Sequence, residues 1–180
     1  AGRLGLSILD VLCHSASPSL TIVTDLQPFR LETAQKIGAD YALNIADVDP
    51  VDYVMELTDG VGADCVIEAV GHYHTFEGQN PPLAQAAKIV RSGGRIVTTG
   101  LGDQETSIHF KTLVLKEADL IASRVTLGEF PRAIRMMERG ILHPDLLITH
   151  QLPMGEIGQA FELVDKEQPD TIKVVMDVQD

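Results

Sequence analysis

The sequence contains no tryptophan, only two cysteines and few other aromatic residues. Cys13 and Cys65 stand far apart and form no C-x-x-C pair, so their spacing suggests neither a disulfide framework nor a structural zinc site. Unpaired, reduced thiols are typical of a cytoplasmic protein, which is the localisation we predict. No apolar run approaches the roughly 20 residues that a membrane-spanning helix needs, so we expect no membrane partner.

Positive charge is also scarce, with 14 Lys and Arg residues against 26 Asp and Glu and a formal net charge of −12. A nucleic-acid-binding protein needs a positive surface to meet the phosphates, so the charge balance predicts no nucleic-acid partner. The G-x-S-x-G, H-E-x-x-H and Walker lysine patterns are missing too, which disfavours hydrolase and ATPase functions. No proton-transfer pair is visible from spacing, and we therefore assign no catalytic residue.

What the chain does contain begins with a glycine turn. Gly2 and Gly5, which enclose Arg3 and Leu4, match the last part of a G-x-G-x-x-G pattern. An apolar run follows and ends at Asp25, about twenty residues after the glycines, as in a dinucleotide fingerprint. In that fingerprint the glycines let a pyrophosphate approach a helix N-terminus, and the acid binds ribose hydroxyls. Because the charge of Asp25 would repel a 2′-phosphate, we predict NAD rather than NADP.

Predicted strands and helices alternate along the rest of the chain. Apolar runs rich in β-branched residues predict strands at residues 20–24, 41–44, 64–70, 95–100, 120–125 and 172–178. Helical spacing predicts helices at residues 4–17, 28–37, 51–57, 82–90, 130–139 and 157–164. Most of these strands are continuous apolar runs, which is typical of a parallel sheet covered on both faces. We therefore predict an α/β, doubly wound, Rossmann-type fold.

Three of the predicted strands end where such a sheet binds its ligand. In doubly wound sheets the ligand lies at the carboxyl ends of the strands. The candidate residues at these ends are Asp25, Val70, Gly71, Gly100 and Leu101. The pattern predicts that they line one crevice.

Several other residues keep two interpretations from sequence alone. Arg30 either contacts the adenosine or is an exposed helix residue. Glu68 lies inside an apolar strand, where a carboxylate needs a partner, and either hydrogen-bonds within the sheet or faces the cleft. His72 and His74 form an H-x-H pair, which we interpret as surface loop histidines because no carboxylate or thiolate stands nearby. His143 is isolated, and we assign it no role.

The same residues occur in the order typical of a known family. The chain resembles the cofactor domain of medium-chain, zinc-dependent alcohol dehydrogenases, within the sorbitol and threonine dehydrogenase branch. The resemblance rests on the glycine turn, on Asp25 with Arg30, and on the phrases at residues 37–40, 62–71, 93–97 and 147–150. Each phrase is weak alone, but their shared order and spacing are specific and cover nearly the whole chain.

The resemblance implies a role for each candidate residue. Contact with the pyrophosphate is implied for Gly2, Arg3, Leu4 and Gly5. Contact with the adenosine is implied for Asp25 and Arg30. The nicotinamide would be lined by Val70, Gly71, Gly100 and Leu101, with Ser123 and Arg124 also approaching the cofactor.

The resemblance also implies a larger protein. We expect residues 1–146 to be an NAD(P)-binding Rossmann domain without its first strand, and residues 147–180 to pack on a catalytic domain that is not in this sequence. In the family that domain holds a zinc through Cys, His and Glu, which polarises an alcohol or polyol substrate while hydride passes to the nicotinamide. We expect the enzyme to be a homo-oligomer, and this chain alone to be unstable and inactive.

The sequence pattern is also compatible with other functions. An S-adenosylmethionine-dependent methyltransferase also uses a glycine turn followed by an acid, although the phrases at 37–40 and 70–71 favour a dehydrogenase. A non-catalytic NAD-binding module is a second alternative. Zinc-free quinone reductases are a third, but they generally prefer NADP, which Asp25 disfavours.

Overall fold

The computed structural model describes residues 1–71, 79–103, 105–124, 126–166 and 168–178. His72 and His74 therefore lie outside the described residues. The helices are α1 (Arg3–Val11), α2 (Pro28–Ile37), α3 (Pro50–Leu57), α4 (Pro82–Ile89), α5 (Phe110–Lys116), α6 (Phe130–Glu138) and α7 (Ile157–Asp165). The strands are β1 (Ile22–Asp25), β2 (Tyr41–Asn44), β3 (Ala63–Glu68), β4 (Val90–Thr98), β5 (Asp119–Ala122), β6 (Ile148–Pro153) and β7 (Lys173–Asp177).

The described strands form three sheets, and every pairing in them is parallel. The sheet orders are β1-β2, β3-β4-β5 and β6-β7. Helices connect consecutive strands, as parallel pairing requires. The predicted α/β fold with parallel sheets is thus confirmed. Among the described residues, β1 pairs on one side with β2, and β3 pairs on one side with β4.

The chain divides into two compact units. The first unit comprises Ala1–Asn44 and Gly128–Asp180, and the second comprises Ile45–Leu127. The predicted boundary between residues 146 and 147 stays a prediction.

The first unit is built around the apolar faces of α1 and α2. Leu6 and Leu9 of α1 pack with Ala34 and Ile37 of α2, and Leu147 and Ile172 complete this buried cluster. Helix α2 begins at Pro28, whose fixed φ suits a first helical position, and ends at Gly38. Helix α1 continues into a π-helical turn, Leu12–Ala16, which stops at Ser17 in the left-handed conformation with φ 48°.

The second unit places α4 and α5 against its three-stranded sheet. Ala86 and Ala87 of α4 pack on Val90 and Ile96 of β4, together with Leu113 of α5. Helix α3 begins with Asp49, whose side chain accepts hydrogen bonds from the backbone N–H groups of residues 51 and 52. That N-cap satisfies two of the four amides that a helix leaves without a partner at its start.

Two elements of the structure were not predicted. Helix α5 has only seven residues, too few for its periodicity to stand out. Strand β6 carries threonine, histidine and glutamine among its apolar residues, and it forms through parallel pairing with β7. That pairing joins segments about twenty residues apart in sequence, which a local pattern does not reveal.

Candidate functional site

The glycine turn lies at the open start of α1. Gly2 is the N-cap residue and makes no side-chain capping bond, and the first turn carries no acidic residue. The first amides of the helix therefore remain available to an anion. A Cβ added at Gly2 or Gly5 would meet nothing within 4 Å. The packing of this chain therefore does not require glycine at either position, whereas close approach of an external group would.

Asp25 ends β1 and lies against the beginning of the chain. Its Oδ2 is 2.8 Å from the amino group of Ala1, which also donates to the Thr24 carbonyl oxygen at 2.8 Å. Its Oδ1 accepts a hydrogen bond of 2.8 Å from the backbone N–H of Gln27. A carboxylate has about four acceptor positions, so the two oxygens retain room for further donors such as ribose hydroxyls. The structure thus brings the glycine turn and the acid together.

Two opposing effects set the pKa of Asp25. Burial favours the neutral acid, but the Ala1 ammonium, the Gln27 amide and the Arg30 guanidinium together favour the carboxylate more strongly. The net result is a pKa below the ordinary aspartate value. Asp25 is therefore negatively charged at neutral pH.

Arg30 approaches the same carboxylate from α2. Its Nη1 lies 3.9 Å from Oδ2 of Asp25, and a quarter of its side chain is exposed. Its Nε is buried and has no hydrogen-bond partner in the described structure. A buried guanidinium N–H without an acceptor is costly, so this donor fits an external acceptor beside Asp25.

In the second unit the remaining candidates gather at one edge of the sheet. Strands β3, β4 and β5 run parallel and pair Glu68 with Thr98 and Thr98 with Ala122 at their carboxyl ends. The residues that follow these ends are Val70, Gly71, Gly100, Leu101, Ser123 and Arg124. Their placement is the one that ligand-binding edges of α/β sheets share.

Glu68 organises two of these strand ends, which resolves its ambiguous position. Its Oε1 accepts hydrogen bonds from the backbone N–H groups of Val70 at 2.7 Å and Gly71 at 2.9 Å. Its carbonyl oxygen accepts from the backbone N–H groups of Thr99 at 2.8 Å and Gly100 at 3.1 Å. One residue therefore holds the turn after β3 and the turn after β4. The sequence indicates that this strand carboxylate needs a partner, but its spacing does not reveal these backbone partners.

Gly71 and Gly100 bring the two turns into backbone contact. Gly71 has φ +66°, and a Cβ there would overlap the backbone of Leu101 and lie 2.7 Å from the carbonyl carbon of Gly100. A Cβ at Gly100 would lie 2.6 Å from the Cα of Gly71 and 2.9 Å from Oε2 of Glu68. Neither position can accept a side chain without movement of the backbone. We call this the Gly71–Gly100 contact.

Exposed side chains surround this contact. Val70 and Leu101 are 52% and 74% exposed, although both are apolar. Ser123 donates its backbone N–H to the Thr98 carbonyl oxygen at 2.9 Å, while Arg124 is exposed. This edge thus offers apolar surface beside polar backbone groups, as a planar, partly polar ring would need.

The predicted site residues consequently form two groups, one in each unit. The first contains Gly2, Arg3, Leu4, Gly5, Asp25 and Arg30, and the second contains Val70, Gly71, Gly100, Leu101, Ser123 and Arg124. Three observations fit a dinucleotide: the open helix start, the glycines that packing does not require, and the unpartnered Arg30 Nε.

Comparison with known proteins gives a consistent result. A family described as zinc-binding dehydrogenase matches residues 13–139. The chain is 32% identical over 164 residues to the erythritol/L-threitol dehydrogenase of Mycolicibacterium smegmatis, a match that covers 91% of the chain and 43% of that protein. It is 34% identical over 169 residues to the L-threonine 3-dehydrogenase of Thermococcus kodakarensis, covering 91% of the chain and 46% of that protein.

Solved structures share the fold. The crystal structure of RspB from Escherichia coli CFT073, an alcohol dehydrogenase in complex with NADH, superposes with a TM-score of 0.86 at 26% identity. The superposition covers 98% of this chain and 50% of that one. The zinc-dependent alcohol dehydrogenase 2 of Streptococcus pneumonia gives a TM-score of 0.85 at 26% identity, covering 99% of this chain and 50% of the other.

The chain belongs to the zinc-binding dehydrogenase family, which confirms the predicted relationship. It spans about half the length of the curated relatives it matches. Within the described residues, no helix combines the length and apolar character needed to cross a membrane.

Proposed function

We propose that this member of the zinc-binding dehydrogenase family is the cofactor-binding part of an NAD-dependent oxidoreductase. Its reaction would move a hydride between a secondary alcohol or polyol and the nicotinamide. The observation that carries the proposal is Asp25, a charged acid at a strand end that contacts Ala1, just before the glycine turn, beside an unpartnered arginine nitrogen. The erythritol/L-threitol and threonine dehydrogenases among the relatives support it.

The first unit would hold the adenosine diphosphate portion of the cofactor. The backbone amides around Gly2, Arg3, Leu4 and Gly5 would bind the pyrophosphate, because a helix start attracts negative charge. Asp25 would accept hydrogen bonds from the ribose hydroxyls, and Arg30 would donate its unpartnered Nε to the same portion. These residues bind and orient, and none of them takes part in a chemical step.

The second unit would hold the nicotinamide portion. When bound, NAD supplies a nicotinamide ring that accepts or donates the hydride. Val70 and Leu101 would cover the ring with apolar surface, and the glycine backbones at 71 and 100 would let it approach closely. Ser123 and Arg124 would complete this edge. Glu68 is a positioning residue, since it fixes the turns without needing to touch the cofactor.

The remaining parts of the reaction are proposed from the family. A catalytic zinc bound by Cys, His and Glu would lie in sequence that this chain does not include, and it would polarise the substrate alcohol. We also propose that the enzyme is a cytoplasmic homo-oligomer with no nucleic-acid or membrane partner.

Cofactor choice tests this function. We expect NADH to bind at least about tenfold more tightly than NADPH, a difference of about 1.4 kcal/mol, because Asp25 repels the 2′-phosphate. Asp25→Asn keeps the size of the side chain but removes its charge, and should narrow the difference. Asp64→Asn is the matched control, because Asp64 is an exposed acid paired with Arg91 at 2.6 Å. Titrations followed by NADH and NADPH fluorescence measure both affinities.

Equal affinity of the unaltered chain for NADH and NADPH would contradict the assignment of Asp25. If the chain binds S-adenosylmethionine but neither NADH nor NADPH, the dehydrogenase proposal is wrong and the site is that of a methyltransferase.

A further inference from the structure

A buried carboxylate in the first unit lies between two histidines that are far apart in sequence. Asp10, on α1, is 3% exposed. Its Oδ1 is 2.9 Å from Nδ1 of His14 and 3.1 Å from Nδ1 of His143. Its Oδ2 accepts a hydrogen bond of 2.7 Å from the backbone N–H of His143. None of these residues belongs to the proposed cofactor site.

The carboxylate lacks a permanent positive partner. Across the described ranges, Asp10 forms ion pairs with the two histidines and with no lysine or arginine. A buried carboxylate is costly unless an opposite charge accompanies it. A divalent cation at Oδ1 would supply that charge at any pH at which the imidazoles are neutral.

The spacing of the three side chains suits a transition metal. One ligand atom from each side chain can be chosen so that all three lie within 4.8 Å of one another. Two ligands on a tetrahedral zinc with bonds of about 2.0 Å stand about 3.3 Å apart. Without a metal, the Nδ1–Oδ1 contacts of 2.9 and 3.1 Å are hydrogen bonds, and His14 Nδ1 also lies 3.0 Å from the Asp10 carbonyl oxygen. Zinc would replace the Nδ1 protons, and the ligand atoms would need to move apart by only a few tenths of an ångström. Two imidazoles and one carboxylate are also a ligand set that zinc accepts.

The two histidines of the cluster reach solvent, whereas Asp10 is buried beneath them. Asp10 and His14 are four residues apart, and His14 lies in the π-helical turn that ends α1. Such turns are often found at functional sites. The two imidazole rings are 4.5 Å apart between centroids. About a third of each histidine side chain is exposed, at 33% for His14 and 36% for His143, so water can complete the coordination.

The geometry points to a zinc site formed by Asp10, His14 and His143, with water at the open position. The metal links the end of α1 to a segment 133 residues later in the chain. It therefore acts as a clamp that closes a long loop within the first unit. It is separate from the catalytic zinc expected elsewhere in the family, because its ligands all come from this chain.

Zinc titration tests the site directly. The 180-residue chain, stripped of metal with EDTA, is titrated with zinc sulfate against a fluorescent chelator at pH 7.5. We expect one zinc per chain, and at least about tenfold weaker binding in both His14→Gln and His143→Gln, since each variant removes a ligand. His150→Gln is the matched control, and the double variant His72→Gln/His74→Gln removes the H-x-H pair. Both should bind zinc as the unaltered chain does.

A second measurement does not depend on the variants. At a hundredfold excess of free zinc over its dissociation constant, the melting temperature of the unaltered chain should rise by about 5 to 10 °C. Failure to bind one zinc, absence of this rise, or unchanged binding in His14→Gln and His143→Gln would overturn the site. Loss of binding in the His72/His74 double variant alone would also overturn it, because the metal would then sit on that pair.

Discussion

Replacing Gly5 with alanine should have opposite effects on the stability of the fold and on cofactor binding. Gly5 lies in the first turn of α1, and an added Cβ would meet nothing within 4 Å. Alanine should therefore fit, and it favours the helix by about 0.5–1 kcal/mol over glycine. For a chain of this size that gain raises the melting temperature by about 1–4 °C. The variant is expected to be more stable than the original.

The same methyl group should weaken cofactor binding. If the pyrophosphate approaches the backbone of the glycine turn, a Cβ at Gly5 occupies the space that it needs. We expect the affinity for NADH to fall at least about tenfold, which corresponds to about 1.4 kcal/mol. Thermal unfolding followed by circular dichroism and NADH fluorescence titration on the same sample measure the two effects, which have opposite signs.

Gly158→Ala provides the matched control. Gly158 lies near the start of α7, and a Cβ there also meets nothing within 4 Å. Its stability should rise in the same way while NADH affinity stays constant. Unchanged NADH affinity in Gly5→Ala would refute the reasoning that links the glycine turn to a pyrophosphate. A lower melting temperature in Gly5→Ala would refute the claim that packing leaves this position open.

Three further predictions concern the strand ends. Gly100→Ala should lower the free energy of unfolding by about 1–3 kcal/mol, because the added Cβ would overlap the backbone of Gly71. An unchanged free energy of unfolding in urea denaturation would contradict the Gly71–Gly100 contact. Glu68→Ala should lower the free energy of unfolding by about 1–3 kcal/mol, because the amides of Val70 and Gly71 lose their acceptor. Glu68→Gln keeps an acceptor oxygen and should lower it less. Equal losses for the two variants in urea denaturation would contradict the acceptor role of Glu68. The pKa of Asp25 is lowered, so the stability it provides is present above about pH 4 and is lost as the pH falls further. In Asp25→Asn, the free energy of unfolding measured by urea denaturation should fall less between pH 7 and pH 3 than in the unaltered chain. The same fall in both proteins would contradict the prediction.

The parts of this molecule that could be predicted from sequence rest on local patterns. Helix α1 is predicted by the helical spacing that follows Gly2 and Gly5, and strand β1 is predicted by the β-branched run that ends at Asp25. Each of these signals lies within a few neighbouring residues. The strand ends at Val70 and Gly100 follow from the same kind of signal. Their roles toward a cofactor stay predictions.

The rest depends on pairs that sequence spacing does not reveal. Glu68 stands in an apolar strand, which predicts that its carboxylate has a partner, but its acceptor role depends on how the turn after β3 folds back. Asp10 and His14 show a helical spacing of four, yet their partner His143 is 133 residues from Asp10. Strand β6 exists because β7 pairs with it. Only folding brings these partners together.

The Gly71–Gly100 contact has a consequence for motion at the sheet edge. The turns after β3 and β4 contact each other through main-chain atoms. The turn after β3 donates hydrogen bonds to the Glu68 carboxylate, and the turn after β4 donates hydrogen bonds to the Glu68 carbonyl oxygen. A displacement of one turn is therefore imposed on the other, without a side chain whose rotation could absorb it. The amides of Val70, Gly71 and Gly100 should then become accessible to deuterium exchange in one cooperative opening, so that all three report the same free energy of opening.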